Sequence, residues 1–169
     1  MVITLKKIVL FLFILTLIIL FNYKEEYVIP NDSIRFRILA NSNSIEDQLL
    51  KTKIKNKIKN QIFDNMNNIT SFDEASKKVK LNINSIKKII NQYTSNYDIN
   101  YGDNYFPKKE YRGVKYPEGN YKSLVITLGE GLGDNWWCVL YPPLCLIDEE
   151  SDNTTYDLYI KRLFQKLNS

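Results

Sequence analysis

"SIRFRILANSNSIEDQ", residues 33 to 48, changes its grammar halfway. Ile34, Phe36 and Ile38 alternate with Arg35 and Arg37, the period of two that belongs to a half-buried strand. "NSNS" breaks that alternation, and Ser44 followed by Asp47 has the form of a helix N-cap with an acid in the first turn. A strand therefore opens the domain and a helix follows it at once.

That helix is predicted to run to about Met66, with Ile45, Leu49, Ile54, Ile58 and Ile62 as its apolar stripe. Ser71 and Glu74 form the capping box of a second helix, in which Phe72, Ala75, Val79, Ile83, Ile86, Ile90 and Tyr93 recur at helical spacing. Both stripes read as core. After Tyr93 the composition turns to Tyr, Gly, Asn and Pro. Tyr97, Ile99 and Tyr101 alternate in a strand, "FPKKEYRGVKYPEGNY" is rich in turns, and "YKSLVITL" (121 to 128) is a continuous apolar strand of the kind found inside a sheet. The order β-α-α-β-β predicts an α+β fold, a small antiparallel or mixed sheet covered on one face by two helices. Further on, Tyr156, Tyr159, Ile160, Leu163 and Leu167 predict a short amphipathic helix.

Upstream, residues 1 to 23 read "MVITLKKIVLFLFILTLIILFNY". Lys6 and Lys7 precede an apolar run from Ile8 to Phe21, ~14 residues or ~21 Å as a helix, which matches the core of an export signal and falls short of a ~30 Å hydrocarbon layer. "IILFNYKEEYV" offers no small residues for a signal peptidase, so the segment is read as a signal peptide or an uncleaved membrane anchor. The lysines before it place the N-terminus inside and the remainder outside. The resulting layout is 1–23 signal or anchor, 24–33 linker ending in the turn residues Pro30 and Asn31, 34–147 domain, and 148–169 tail.

At 169 residues the chain has room for one core. Its net charge of +4 comes from lysines scattered among Asn and Ile, which argues against a nucleic-acid partner. Histidine is absent, which removes Ser-His-Asp and Cys-His nucleophiles and the His-based zinc sites. No cofactor and no metal is expected.

"GEGLGDNWWCVLYPPLC", residues 129 to 145, holds the remaining chemistry. Gly129, Gly131 and Gly133 follow a strand, but no capped helix begins at Asp134, so they read as turn glycines rather than a dinucleotide loop. Cys138 and Cys145 read first as a disulfide, contributing roughly 2–2.5 kcal/mol by loop closure; a buried reduced pair and a reactive thiol are the alternatives. Trp136 and Trp137 leave an extended segment on opposite faces, so one of them is a candidate exposed aromatic. With Tyr141, Pro142 and Pro143 it forms a candidate partner-binding patch; the alternative is that both tryptophans cap the core.

The stretches "IRFRILANSNSIEDQ" (34 to 48), "FPKKEY" (106 to 111), "YPEGNY" (116 to 121) and "GEGLGDNWWCVLYPPLC", in this order behind an export signal, resemble the stage II sporulation protein R family of endospore-forming Firmicutes. Asn43 stands where that family has an acid. The resemblance implies a protein made in the forespore and exported into the space between forespore and mother cell. There it triggers a membrane-bound aspartic protease to process the precursor of sigma-E. It implies a ligand with no catalytic residues. The competing reading is an exported carboxylate-dependent hydrolase acting on cell-envelope material through Glu130 and Asp134.

Overall fold

The computed structural model describes residues 2–22, 26–62, 69–146 and 152–167. The alternating stretch is strand β2 (Ile34–Leu39), whose Ile34, Phe36 and Ile38 are fully buried on one face. Helix α2 (Ile45–Ile62) begins just after Ser44, whose hydroxyl accepts from the Asp47 amide at 3.2 Å. The predicted end at Met66 lies outside the described residues. Helix α3 (Phe72–Ile90) is capped by Ser71, which accepts from the Glu74 amide at 3.3 Å. The Glu74 carboxylate accepts in turn from the Thr70 amide.

Strands β3 (Tyr97–Phe106), β6 (Gly119–Leu128) and β7 (Asn135–Tyr141) join β2 in a four-stranded sheet of order β3-β6-β2-β7. The fold is α+β with mixed sheets and, among the described residues, four α-helices. β2 and β6 run parallel, with Phe36 beside Leu124, and the two outer pairings are antiparallel. β6 is thus an interior strand, which suits its unbroken apolar run. One core lies between this sheet and the two helices, where Ile54 and Ile58 of α2 and Ala75, Val79, Ile86 and Ile90 of α3 meet Phe36, Ile38, Leu124, Ile126 and Leu140. Each large aliphatic side chain buried there contributes about 1.5–3 kcal/mol.

Three expectations need correction. The stripe expected for α2 holds at Ile54 and Ile58 but is out of phase before them, and the Ile62 side chain lies outside the described residues. At about 100° per residue Ile45 lies on the side opposite Ile54. Ile45 and Leu49 are accordingly 79% and 63% exposed, while the inward positions are Leu50, Ile54 and Ile58, with Lys51 buried beside them. Residues 135–141, expected to hold an extended segment at the tryptophans but not counted among the strands of the sheet, supply a fourth strand to it, beyond the β-α-α-β-β order.

The third correction concerns the sheet's other face, which is not left to solvent. A second layer covers it, built from the small sheet β1-β5-β4 (Tyr27–Val28, Val114–Tyr116, Lys109–Tyr111) and helix α4 (Asn153–Leu167). The β4–β5 hairpin turns through Arg112 and Gly113, both with positive φ, the two-residue turn whose twist suits a hairpin. This layer encloses a second core of Ile29, Val114, Tyr116, Val139, Leu144, Tyr156 and Ile160. The presumed linker thus contributes Tyr27 and Ile29 to the packed structure, and the presumed tail contributes Tyr156, Tyr159, Ile160 and Leu163. Leu167's side chain lies outside the described residues.

Helix α1 (Val2–Asn22) presents exposed Leu5, Ile8, Phe11, Phe13 and Ile18 on all sides. Among the described residues no helix is long and apolar enough to cross a membrane. The flanking Tyr23, Lys24 and Glu25 lie outside them.

Candidate functional site

The loop after β2 and the loop between β6 and β7 meet at the end of the sheet and are hooked together. Asn41 accepts from the Glu130 amide at 3.0 Å and donates to Asp47 at 2.9 Å; Asn43 accepts from the Asp134 amide at 2.6 Å. Backbone bonds from Leu132 to the Asn41 carbonyl and from Gly133 to the Ala40 carbonyl complete the seam. Lys51 reaches over from α2 and donates to the Asp134 carbonyl at 2.7 Å and to Gln48 Oε1 at 2.6 Å. Burial lowers the pKa of its ammonium, and nearby Asp134 opposes that shift. The Ser42 hydroxyl, then the Asn41 amide, hold the Asp47 carboxyl below the usual carboxylate range.

The three glycines serve this seam differently. Gly129 and Gly131 have positive φ; Gly133 does not, but a side chain there would run into the Ser42 carbonyl. The loop so fixed holds Leu132 at its tip, 81% exposed, with Glu130 and Asp134 exposed beside it, and Ile45 stands exposed at the start of α2, two residues after the Asn43 hook. Five hydrogen bonds cross to this loop, from the Glu130, Leu132, Gly133 and Asp134 amides and to the Asp134 carbonyl, so its apolar tip is held in a fixed position in solvent.

On the opposite face of the sheet, Arg35 is fully buried. Its guanidinium lies 3.4 Å from the centre of the Tyr121 ring, within 6 Å of Phe106 and Trp137, and donates to the Pro117 carbonyl at 3.0 Å. Its Nε and Nη1 have no hydrogen-bond partner among the described residues. Burial lowers its pKa, and ring faces supply the compensating negative potential. This explains why a strand that alternates Ile with Arg is buried on both sides.

The residues of the dense stretch fall around these features. Trp136 faces the helices, edge-on to Phe36 at 5.7 Å with the Lys55 ammonium 5.0 Å from its ring. Trp137 faces the second layer, edge-on to Tyr116 at 5.0 Å and Phe106 at 5.9 Å. The two do leave on opposite faces, but both faces are covered, so neither tryptophan is the exposed aromatic expected; each is half-buried. Tyr141 and Pro142 are buried and Pro143 is half-buried, its carbonyl accepting from Tyr159 at 2.5 Å. Tyr141 donates to the Thr70 carbonyl at 3.2 Å. Cys138 and Cys145 form a disulfide, with Cα atoms 5.4 Å apart, which ties β7 to the following turn at Leu144–Leu146.

The family described as "Stage II sporulation protein R (spore_II_R)" matches residues 30–151. The chain belongs to that family. It is similar to the stage II sporulation protein R of Bacillus subtilis (strain 168), 40% identical over 130 residues that cover 73% of this chain and 58% of that protein. The chain therefore spans little more than half the length of this relative. No solved structure matches it. The matched family region takes in both hooked loops, the Arg35 face and the disulfide corner; α1 and α4 lie outside it.

Three contributors escaped sequence reasoning. Asn41 was visible only as part of a helix-breaking run, and nothing local shows that it hooks a loop 89 residues away. Lys51 carried a usable signal: it lies three residues before Ile54, hence on the inward side of α2. Leu132 stood between glycines and gave no pattern.

Proposed function

We propose that this chain is an exported sporulation signal that activates a membrane-bound aspartic protease, which then processes the sigma-E precursor and so couples forespore to mother-cell gene expression. The observation that carries this reading is the family match over residues 30–151. The protein acts in the space between the two membranes, and the apolar α1 delivers it there as a signal or holds it as an anchor. It works as a ligand rather than an enzyme. Its two cysteines are joined, it has no histidine, and the carboxylates of the competing hydrolase reading, Glu130 and Asp134, stand exposed at a loop tip.

The contact surface belongs at the hooked loops. A fixed tip carrying Leu132, with Ile45 and the acids Glu46, Glu130 and Asp134 around it, fits an apolar pocket with a basic rim on the protease's exposed domain. Trp136 and Trp137, at the start of β7, lie next to that tip, whereas Tyr141, Pro142 and Pro143 lie at the far end of the strand and apart from it. Purified chain added to reconstituted protease and sigma-E precursor tests the reading. Processing should start on addition and, with E130Q/D134N, still reach the wild-type extent at saturating concentration: only the backbone of Glu130 and Asp134 enters the seam, and losing two rim acids raises the concentration required without removing the signal. Loss of processing at every concentration of that variant, with the fold intact, would favour the hydrolase.

A further inference from the structure

Lysines that look scattered along the sequence are gathered in space. Helices α2 and α3 carry ten lysines against four carboxylates, a net of +6 in a chain that nets +4, and all four carboxylates sit in the first turns. Both helices pack on the same face of the sheet, so their outer sides point the same way. With Ala75, Val79, Ile86 and Ile90 turned inward on α3, Lys77, Leu81, Asn84 and Lys88 project outward, and Lys80 flanks them. Lys53 and Lys57 stand exposed on α2. None of these lysines has a carboxylate within ion-pair distance among the described residues. Amid them Leu81 is 72% exposed and Leu49 63%.

We infer that this outer helical face is a docking surface for an anionic lipid bilayer. Lysines with protruding aliphatic side chains, and no acids beyond the first turns, form the pattern of a helix that rests on charged headgroups with its apolar groups dipped among them. Neither helix contains arginine, the residue suited to paired contacts with carboxylate or nucleic acid, whereas point-like ammonium groups suit a diffuse layer of negative charge. With α1 as the signal or anchor proposed above, a membrane also lies within reach of the same chain. This surface adjoins the Leu132 tip where Ile45 and Leu49 follow each other along α2, but its lysines take no part in the tip, and it stands or falls without reference to the protease.

Residue-resolved lysine acetylation of the full chain, read by mass spectrometry, tests the inference with vesicles of phosphatidylcholine alone or containing phosphatidylglycerol. On the anionic vesicles Lys53, Lys77, Lys80 and Lys88 should label roughly fivefold more slowly, the equivalent of about 1 kcal/mol per lysine near such a surface, while Lys108 and Lys161 stay unchanged. Raising salt from about 0.1 M to about 1 M should abolish the protection. K77Q/K80Q/K88Q should remove it from Lys53 as well. Equal labelling on both vesicle types would overturn the inference. So would protection by DNA or polyglutamate without protection by anionic vesicles.

Discussion

Gly133 shows how tightly the hooked loops are closed, since a Cβ there would meet the backbone carbonyl of Ser42, which cannot swing away. Gly133→Ala should lower stability by about 1–3 kcal/mol in a thermal or denaturant melt, the range expected for overpacking. Asp47 tests the same seam through pH. Its carboxyl is depressed by the Ser42 and Asn41 hydrogen bonds, so the stability it contributes is present above its unfolded pKa of about 3.9 and is lost as pH falls through the lower folded value. D47N should therefore be less stable than wild type at pH 7, and the gap should close below about pH 4. A residual acid slope should remain from Asp152, whose carboxyl is depressed by the Thr155 amide at the start of α4. At this scale the sequence announces a residue's role only when its partner is close along the chain. Ser44 and Ser71 were legible as caps because they bond three residues ahead. Asn41, Asn43 and Arg35 were not, because their partners lie more than 80 residues away.

Strand β7 is the element in which two kinds of expectation part company. Period-two geometry correctly separates Trp136 from Trp137, but it cannot tell that a second layer covers the outer face. That layer comes from residues 27–29, 109–116 and 153–167, three short segments with no long-range signal in common. Both W136A and W137A should consequently destabilise the domain, W137A by about 3 kcal/mol, because it empties a site shared by Phe106, Tyr116 and Arg35. Thermal melts that leave either variant at wild-type stability would return that tryptophan to the list of surface contacts. Reduction of Cys138–Cys145 should cost about 2–2.5 kcal/mol by loop closure and leave the strand order intact. α2 was misread for a different reason: a lysine-rich helix offers isoleucines on several sides, and only the 100° step, followed from Ile54 and Ile58, selects the buried ones.

Taken whole, the molecule has a mixed sheet between two covering layers, a preorganised loop tip at one end and a basic helical face on one side. The tip explains an otherwise costly arrangement. A buried lysine, two asparagine hooks and three glycines that admit no ordinary side chain hold Leu132 out in water. We propose that this tip is the part the protease recognises. The most direct measurement is processing of the sigma-E precursor by the reconstituted protease as a function of added chain, wild type against Leu132→Lys, with melting curves recorded on both. Leu132 is exposed, so the substitution should leave the melt unchanged and raise the concentration needed for half-maximal processing by about tenfold or more, as placing a charge in an apolar contact does. A variant that melts like wild type and also triggers processing at the wild-type concentration would show that the protease does not recognise this tip.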